Sequence, residues 1–132
     1  MKPKLIAQKR VAEFNFQEQM VSTLRSLGIF CEGETYQEGC QKNRFDVAIF
    51  PDKNSHQIIG IIEMKAKITG DMRLHEKEFW STDQGKRYKQ VGIDYGIPVL
   101  YCAGPSEINR VAKKMFKELY GWKAQLKRLL FG

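Results

Sequence analysis

No hydrophobic stretch in the sequence approaches the ~20 residues that a membrane-spanning helix needs, and its apolar runs are strand-sized. The N-terminus, MKPKLIAQKR, has basic residues but no apolar core and no small-residue cleavage site. A secretory leader is therefore not expected, and a cytoplasmic location is. Cysteine is scarce: Cys31, Cys40 and Cys102 cannot all pair, and none sits in a CxxC or Cys/His zinc spacing. They read as free thiols that serve as small packing residues. Histidine is scarcer, and His56 and His75 lie in loop-like stretches without metal-ligand spacing. Repeats, low-complexity tracts and linkers are also missing, so nothing divides the chain. Acidic residues are outnumbered, 15 Asp+Glu against 22 Lys+Arg, for a net charge of +7. That balance favours a polyanionic partner, because each phosphate neutralised releases condensed counterions.

What remains is ordinary for a globular protein: 132 residues, 42% hydrophobic and 28% charged. This is enough for one domain with a real core and too little for two. Met20, Val21, Leu24 and Leu27 recur at helical spacing, predicting a helix over 5–27 that Gly28 stops. A strand is expected over 30–37, then a polar loop over 38–43. The β-rich run 44–50 ends in the turn cluster Pro51-Asp-Lys-Asn-Ser55. The strongest strand signal covers 57–65, apolar on both faces between 58 and 62, as suits a central strand. Residues 68–82 lack periodicity and read as a mobile loop beside the site. A helix over 83–95, a strand over 98–103 and a helix capped by Ser106 and running to Tyr120 follow. Gly121 separates the last of these from a final amphipathic helix. The order α-β-β-β-α-β-α predicts an α/β domain with a mixed sheet flanked by helices.

Three residues interrupt this apolar pattern. Asp46 lies between Phe45 and Val47, and Glu63 and Lys65 share a strand face at the end of the most hydrophobic strand. Charges there are costly unless paired, exposed or coordinated. A hairpin of the two strands brings Asp46 and Glu63 together as a hard oxygen site, suited to magnesium or manganese and not to zinc. A neighbouring lysine can orient a water or hold a phosphate.

Asp46 followed by Glu63-Met64-Lys65, behind the approach Ile-Ile-Gly-Ile-Ile, resembles the PD-(D/E)xK nuclease superfamily, although Phe45 stands where the motif has proline. Members include restriction-endonuclease-like, resolvase-like and VRR-Nuc-like small nucleases. Glu18 matches the acidic residue that resolvase-like members carry in their first helix. Gln84-Gly-Lys-Arg-Tyr88 matches the QxxxY element that follows the ExK strand, and Gly96-Ile-Pro-Val-Leu-Tyr101 the next strand. The resemblance spans about 13–104 of a single domain, 1–132, and leaves 106–130 as a C-terminal helical extension. It implies a restriction-endonuclease-like αβββαβ core and Mg²⁺-dependent hydrolysis of DNA phosphodiester bonds, with Mn²⁺ as a substitute. It also implies that Asp46, Glu63 and the Met64 carbonyl bind the metal, helped by Glu18. Lys65 is then catalytic, with Gln84 and Tyr88 serving the site. Lys42, Arg44, Lys67, Lys86 and Arg87 are candidates to grip phosphates.

Plainer readings stand beside these. Glu18 can be an ordinary surface glutamate, with Glu13 its rival in the same helix. Gln90 with Tyr95 offers a second register for the QxxxY element, but five-residue spacing does not stack on one helical face. The C-terminal segment alternates Arg110, Lys113, Lys117 and Lys127 with Val111, Phe116, Leu119 and Leu126. That predicts amphipathic helices with a basic face for DNA. So short a chain has little room for a sequence-reading domain. It fits structure-selective or nonspecific cutting, alone or as a homodimer, at the size of phage or mobile-element nucleases. The rival functions are a nuclease-fold binding module without catalysis, an RNA-directed endoribonuclease and a purely structural partner in a larger complex.

Overall fold

The structure, a computed structural model, describes residues 3–37, 40–121 and 130, with side chains placed for 14–33, 45–121 and 130. A helix, α1 (Pro3–Ser26), leads into strands β1 (Phe30–Gln37), β2 (Cys40–Phe50) and β3 (Gly60–Met64). Helices α2 (Met72–Ser81) and α3 (Asp83–Tyr95) follow, then β4 (Val99–Cys102), a 3₁₀ turn (Pro105–Glu107) and helix α4 (Ile108–Tyr120). The sheet order is β1-β2-β3-β4, with β3 antiparallel to β2 and parallel to β4. It is thus a mixed, open, four-stranded sheet in an α/β fold. No helix among the described residues is long and apolar enough to cross a membrane.

Alternation along the strands builds two cores. Val47, Ile49, Ile62 and Met64 face α1 and α4, meeting Met20, Val21 and Leu24 from one and Val111, Ala112 and Met115 from the other. Ala48, Phe50 and Ile61 face α2 and α3, meeting Phe79, Tyr88 and Val91. All five residues of β3 are buried, as expected of a strand covered on both sides. Each fully buried large aliphatic side chain contributes ~1.5–3 kcal/mol. The outer face of α4 carries exposed Arg110, Lys113, Lys114 and Lys117, the basic face expected of it. The final helix expected beyond Gly121 lies outside the described residues apart from position 130.

Four expectations are corrected. The stretch 68–82 is not a loop: α2 begins at Asp71, whose carboxylate accepts from Arg73 N at 2.9 Å, and it buries Phe79. The loop expected over 38–43 gives way at Cys40, because β2 keeps pairing with β1 through Arg44 opposite Tyr36 and Cys40 opposite Gln37. The strand expected over 57–65 starts only at Gly60, since Gln57 N donates to Ser55 Oγ and prolongs the turn. Ser106 caps nothing: Pro105 opens a 3₁₀ turn, which suits its fixed φ, and Glu107 stands at the N-cap of α4 without a side-chain capping bond, its carboxylate pairing with Arg110 instead.

Helix α3 is bounded as the sequence predicts. Thr82 Oγ1 accepts from Gly85 N at 3.1 Å, and Gly96, at φ 63, closes the helix through Gly92 O and Ile93 O. Gly85 also permits a close crossing. A β-carbon there would stand 2.0 Å from Phe79 O, so α2 and α3 meet backbone to backbone.

Candidate active site

Val47 lies opposite Ile62 in the β2–β3 register, and the next step outward brings Asp46 towards Glu63. Both leave the sheet on the face of Ala48 and Ile61, towards α2 and α3. Asp46 Oδ2 accepts from Met64 N at 2.9 Å, which ties the carboxylate to the neighbouring strand. Two residues past Glu63, Lys65 shares its face and places Nζ 3.5 Å from Glu63 Oε1, its side chain one-third exposed. The hairpin therefore assembles all three residues of the expected set.

Helix α3 closes the site from above. The Tyr88 hydroxyl donates to Glu63, and Gln84, one turn earlier, bonds that hydroxyl. Tyr88 is held in place by Phe45, with ring centroids 5.8 Å apart. Gln90 donates instead to Asp94 Oδ1 at 2.7 Å, so the Gln90–Tyr95 register does not serve the site. On the other flank Tyr101 stands opposite Glu63 across β3 and β4, stacked on Phe79 at 4.5 Å.

Glu63 is the electrostatic centre. It is 2% exposed, and burial, reinforced by the nearby Asp46 charge, pushes its carboxyl up to about 8. Lys65 and the Tyr88 hydroxyl pull the other way. Burial first, then the Glu63 charge, raises Tyr101 to about 12, and the same influences raise Tyr88. Glu63 Oε2 is buried without a hydrogen-bond partner among the described residues. Such an atom costs free energy unless something else occupies it.

One participant was hidden in the sequence. The register of β1 and β2 passes from Gly33 opposite Val47 to Thr35 opposite Phe45, and the Asp46 main-chain oxygen is taken by Gln17 Nε2 from α1. Gln17 is buried although polar. Its signal was position: it precedes Met20, Val21 and Leu24 by three, four and seven residues, on the buried stripe of the helix. Gly33 lies beside this contact. A β-carbon there would stand 3.4 Å from Gln17 Nε2 and 3.6 Å from both Glu18 Oε1 and Asp46 O.

Glu18 thus reaches the β1–β2 edge near Asp46 and is exposed. Among the described residues no three of His, Cys, Asp and Glu gather closely enough to hold a metal, so Asp46 and Glu63 remain a pair. Met64 contributes the N–H that orders Asp46. Lys67, Lys86 and Arg87 are exposed. The side chains of Lys42, Arg44, Glu13 and Cys40 lie outside the described residues. Cys31 and Cys102 are free and buried, with burial raising their thiols to about 11 and about 12. They behave as packing residues, not nucleophiles.

Chemically, the face offers two convergent carboxylates, an ammonium and a buried oxygen in need of a partner. A hard divalent cation fits that donor set. No protein-family model, curated protein or solved structure matches the chain.

Proposed function

We propose that the chain is a metal-dependent nuclease of the PD-(D/E)xK type that hydrolyses DNA phosphodiester bonds. The observation that carries this reading is the buried Glu63 Oε2. It has no hydrogen-bond partner among the described residues, beside a second carboxylate that is tied down and a lysine 3.5 Å from the first. In a stable core that oxygen is better explained by a ligand than by neglect. The sheet order and the antiparallel hairpin followed by a helix and a parallel strand are compatible with an αβββαβ core, with α2 as an addition before the QxxxY helix.

In this reading Asp46 and Glu63 hold the ion, with the Met64 carbonyl and Glu18 as the further donors that the resemblance implies. Bound Mg²⁺, or Mn²⁺ in its place, supplies Lewis-acid stabilisation of the charge that builds on the phosphate. The protein's own groups do the rest. Lys65, partly exposed at the mouth of the site, orients the attacking water and faces the phosphate's negative charge. Tyr88 and Gln84 keep Glu63 in one rotamer and favour its ionised form. Lys67, Lys86 and Arg87 hold the backbone of the polyanion.

The decisive experiment incubates the protein with linear, branched, flapped and single-stranded DNA, and with RNA, in Mg²⁺, alongside Asp46→Ala and Lys65→Ala. Cleavage of DNA that both variants lose is the expected result. Cleavage that persists in either variant overturns the mechanism. Binding without cleavage of any substrate returns the chain to a nucleic-acid-binding module, and cleavage of RNA alone makes it an endoribonuclease.

A further inference from the structure

Helix α3 carries Gln84, Tyr88, Val91 and Tyr95 at steps of four, three and four, so they form one stripe. The first two serve Glu63. The last two line a cleft of about 310 Å³, with Phe45, Ile58 and Ile61 as its floor and Gln57 on its rim. This is the low end of ligand-sized clefts, ~300–1,000 Å³. The cleft is contiguous with the catalytic face through three residues. Phe45 precedes Asp46 and packs on Tyr88, Ile61 lies two residues before Glu63, and Val91 lies less than one helical turn from Tyr88. At ~3.3 Å per strand residue, cleft and carboxylates are about 7 Å apart.

Its chemistry is that of a base-stacking site. The lining is largely apolar, and Tyr95, 60% exposed, presents an aromatic ring at the mouth. Gln57 is exposed beside it with an amide that both donates and accepts, as an exocyclic amine or a carbonyl requires. Besides Tyr95, the polar residues of the lining are His56 and Gln57, with no ammonium or guanidinium among them. We propose that this cleft receives a nucleobase of the DNA strand, turned out of its stack, while the adjoining phosphate lies over Asp46 and Glu63. The inference rests on the nuclease reading and deepens it. The favoured substrate is DNA with an extrahelical or unpaired base near the cut, because unstacking an already unpaired base costs least.

The test separates the two readings by measuring binding in EDTA, where no cleavage occurs. The probes are a duplex with one bulged 2-aminopurine, the same duplex fully paired, and a free nucleoside monophosphate. The wild type should bind the bulged duplex more tightly than the paired one, with a change in 2-aminopurine fluorescence. Tyr95→Ala should weaken the bulged duplex alone, by roughly five- to a hundredfold, the range for loss of one aromatic–base stack. Tyr95→Phe should restore it, and Ile58→Trp, which fills the cleft, should abolish the preference. Equal binding of both duplexes, unaffected by Tyr95→Ala, overturns the proposal and leaves the nuclease reading standing. Failure to bind either duplex overturns the proposal, and the cleavage assay in Mg²⁺ decides the nuclease reading separately. A monophosphate that binds as tightly as the bulged duplex overturns the assignment to a base within a strand.

Discussion

Gln17, buried in the first helix, donates its amide to the main-chain oxygen of Asp46, so a helix that contributes no carboxylate to the central pair still fixes one of its members. Removing the amide strands a partly buried carbonyl, which costs ~1–3 kcal/mol. Gln17→Leu should lower the unfolding free energy measured in urea by that amount and weaken Mn²⁺ binding, read by electron paramagnetic resonance. Unchanged metal affinity in a destabilised variant would reduce Gln17 to a packing role.

Asp46→Asn keeps an acceptor for Met64 N while deleting the charge. Cleavage should fall by at least ~100-fold, the scale for losing one electrostatic contact to a transition state. Thermal stability should stay close to wild type. Asp46→Ala should lose the activity equally and ~1–3 kcal/mol of stability as well, because Met64 N is left without its partner.

The raised carboxyl of Glu63 sets a pH dependence of definite sign. A group that holds its proton more tightly folded than unfolded stabilises the fold fully below its unfolded value, near 4.5. That contribution is lost as pH rises through about 8. In EDTA the melting temperature should therefore decline between these limits, and Glu63→Gln should flatten the decline. A wild-type curve without slope in this window would contradict the buried, unsatisfied carboxylate.

Tyr88→Phe removes the hydroxyl that favours ionised Glu63. The Glu63 carboxyl should rise further, moving the cleavage optimum to higher pH, with activity at neutral pH lost and partly recovered in alkali. A uniform loss at every pH would assign Tyr88 to DNA contact instead.

Gly85→Ala tests the crossing of α2 and α3. The added carbon meets main-chain Phe79 O at 2.0 Å, which no rotamer change can relieve. Destabilisation of ~3 kcal/mol or more is expected in chemical denaturation.

These residues also show what the sequence discloses. Helix Asp83–Tyr95 and strand Phe30–Gln37 were legible because glycines at 28 and 96 punctuate them and their neighbours repeat at the right period. The Asp46–Glu63–Lys65 set was legible because each charge breaks an apolar run. Helix α2 was not, because Met72, Phe79 and Trp80 share a face whose intervening positions, His75 and Glu76, are polar. Apart from the local Asp71 cap, its support is tertiary: Phe79 against Tyr101, and the bare backbone of Gly85. Gln17 escaped for a related reason, since a glutamine beside Glu18 looks like helix surface until the strand beneath it is known. The pairing of β2 beyond Phe45 rests on main-chain bonds between polar residues, which composition does not record.

The unpartnered oxygen of Glu63 has one more consequence. Burial and the Asp46 charge favour the protonated Glu63 carboxyl, so on the proposed reading a cation entering beside Asp46 would displace a hydrogen ion instead of filling a waiting anion. Uptake of the ion and release of the proton are then one equilibrium. The heat of binding would carry the ionisation enthalpy of whatever buffer receives that proton, and occupancy would follow acidity as closely as it follows metal concentration.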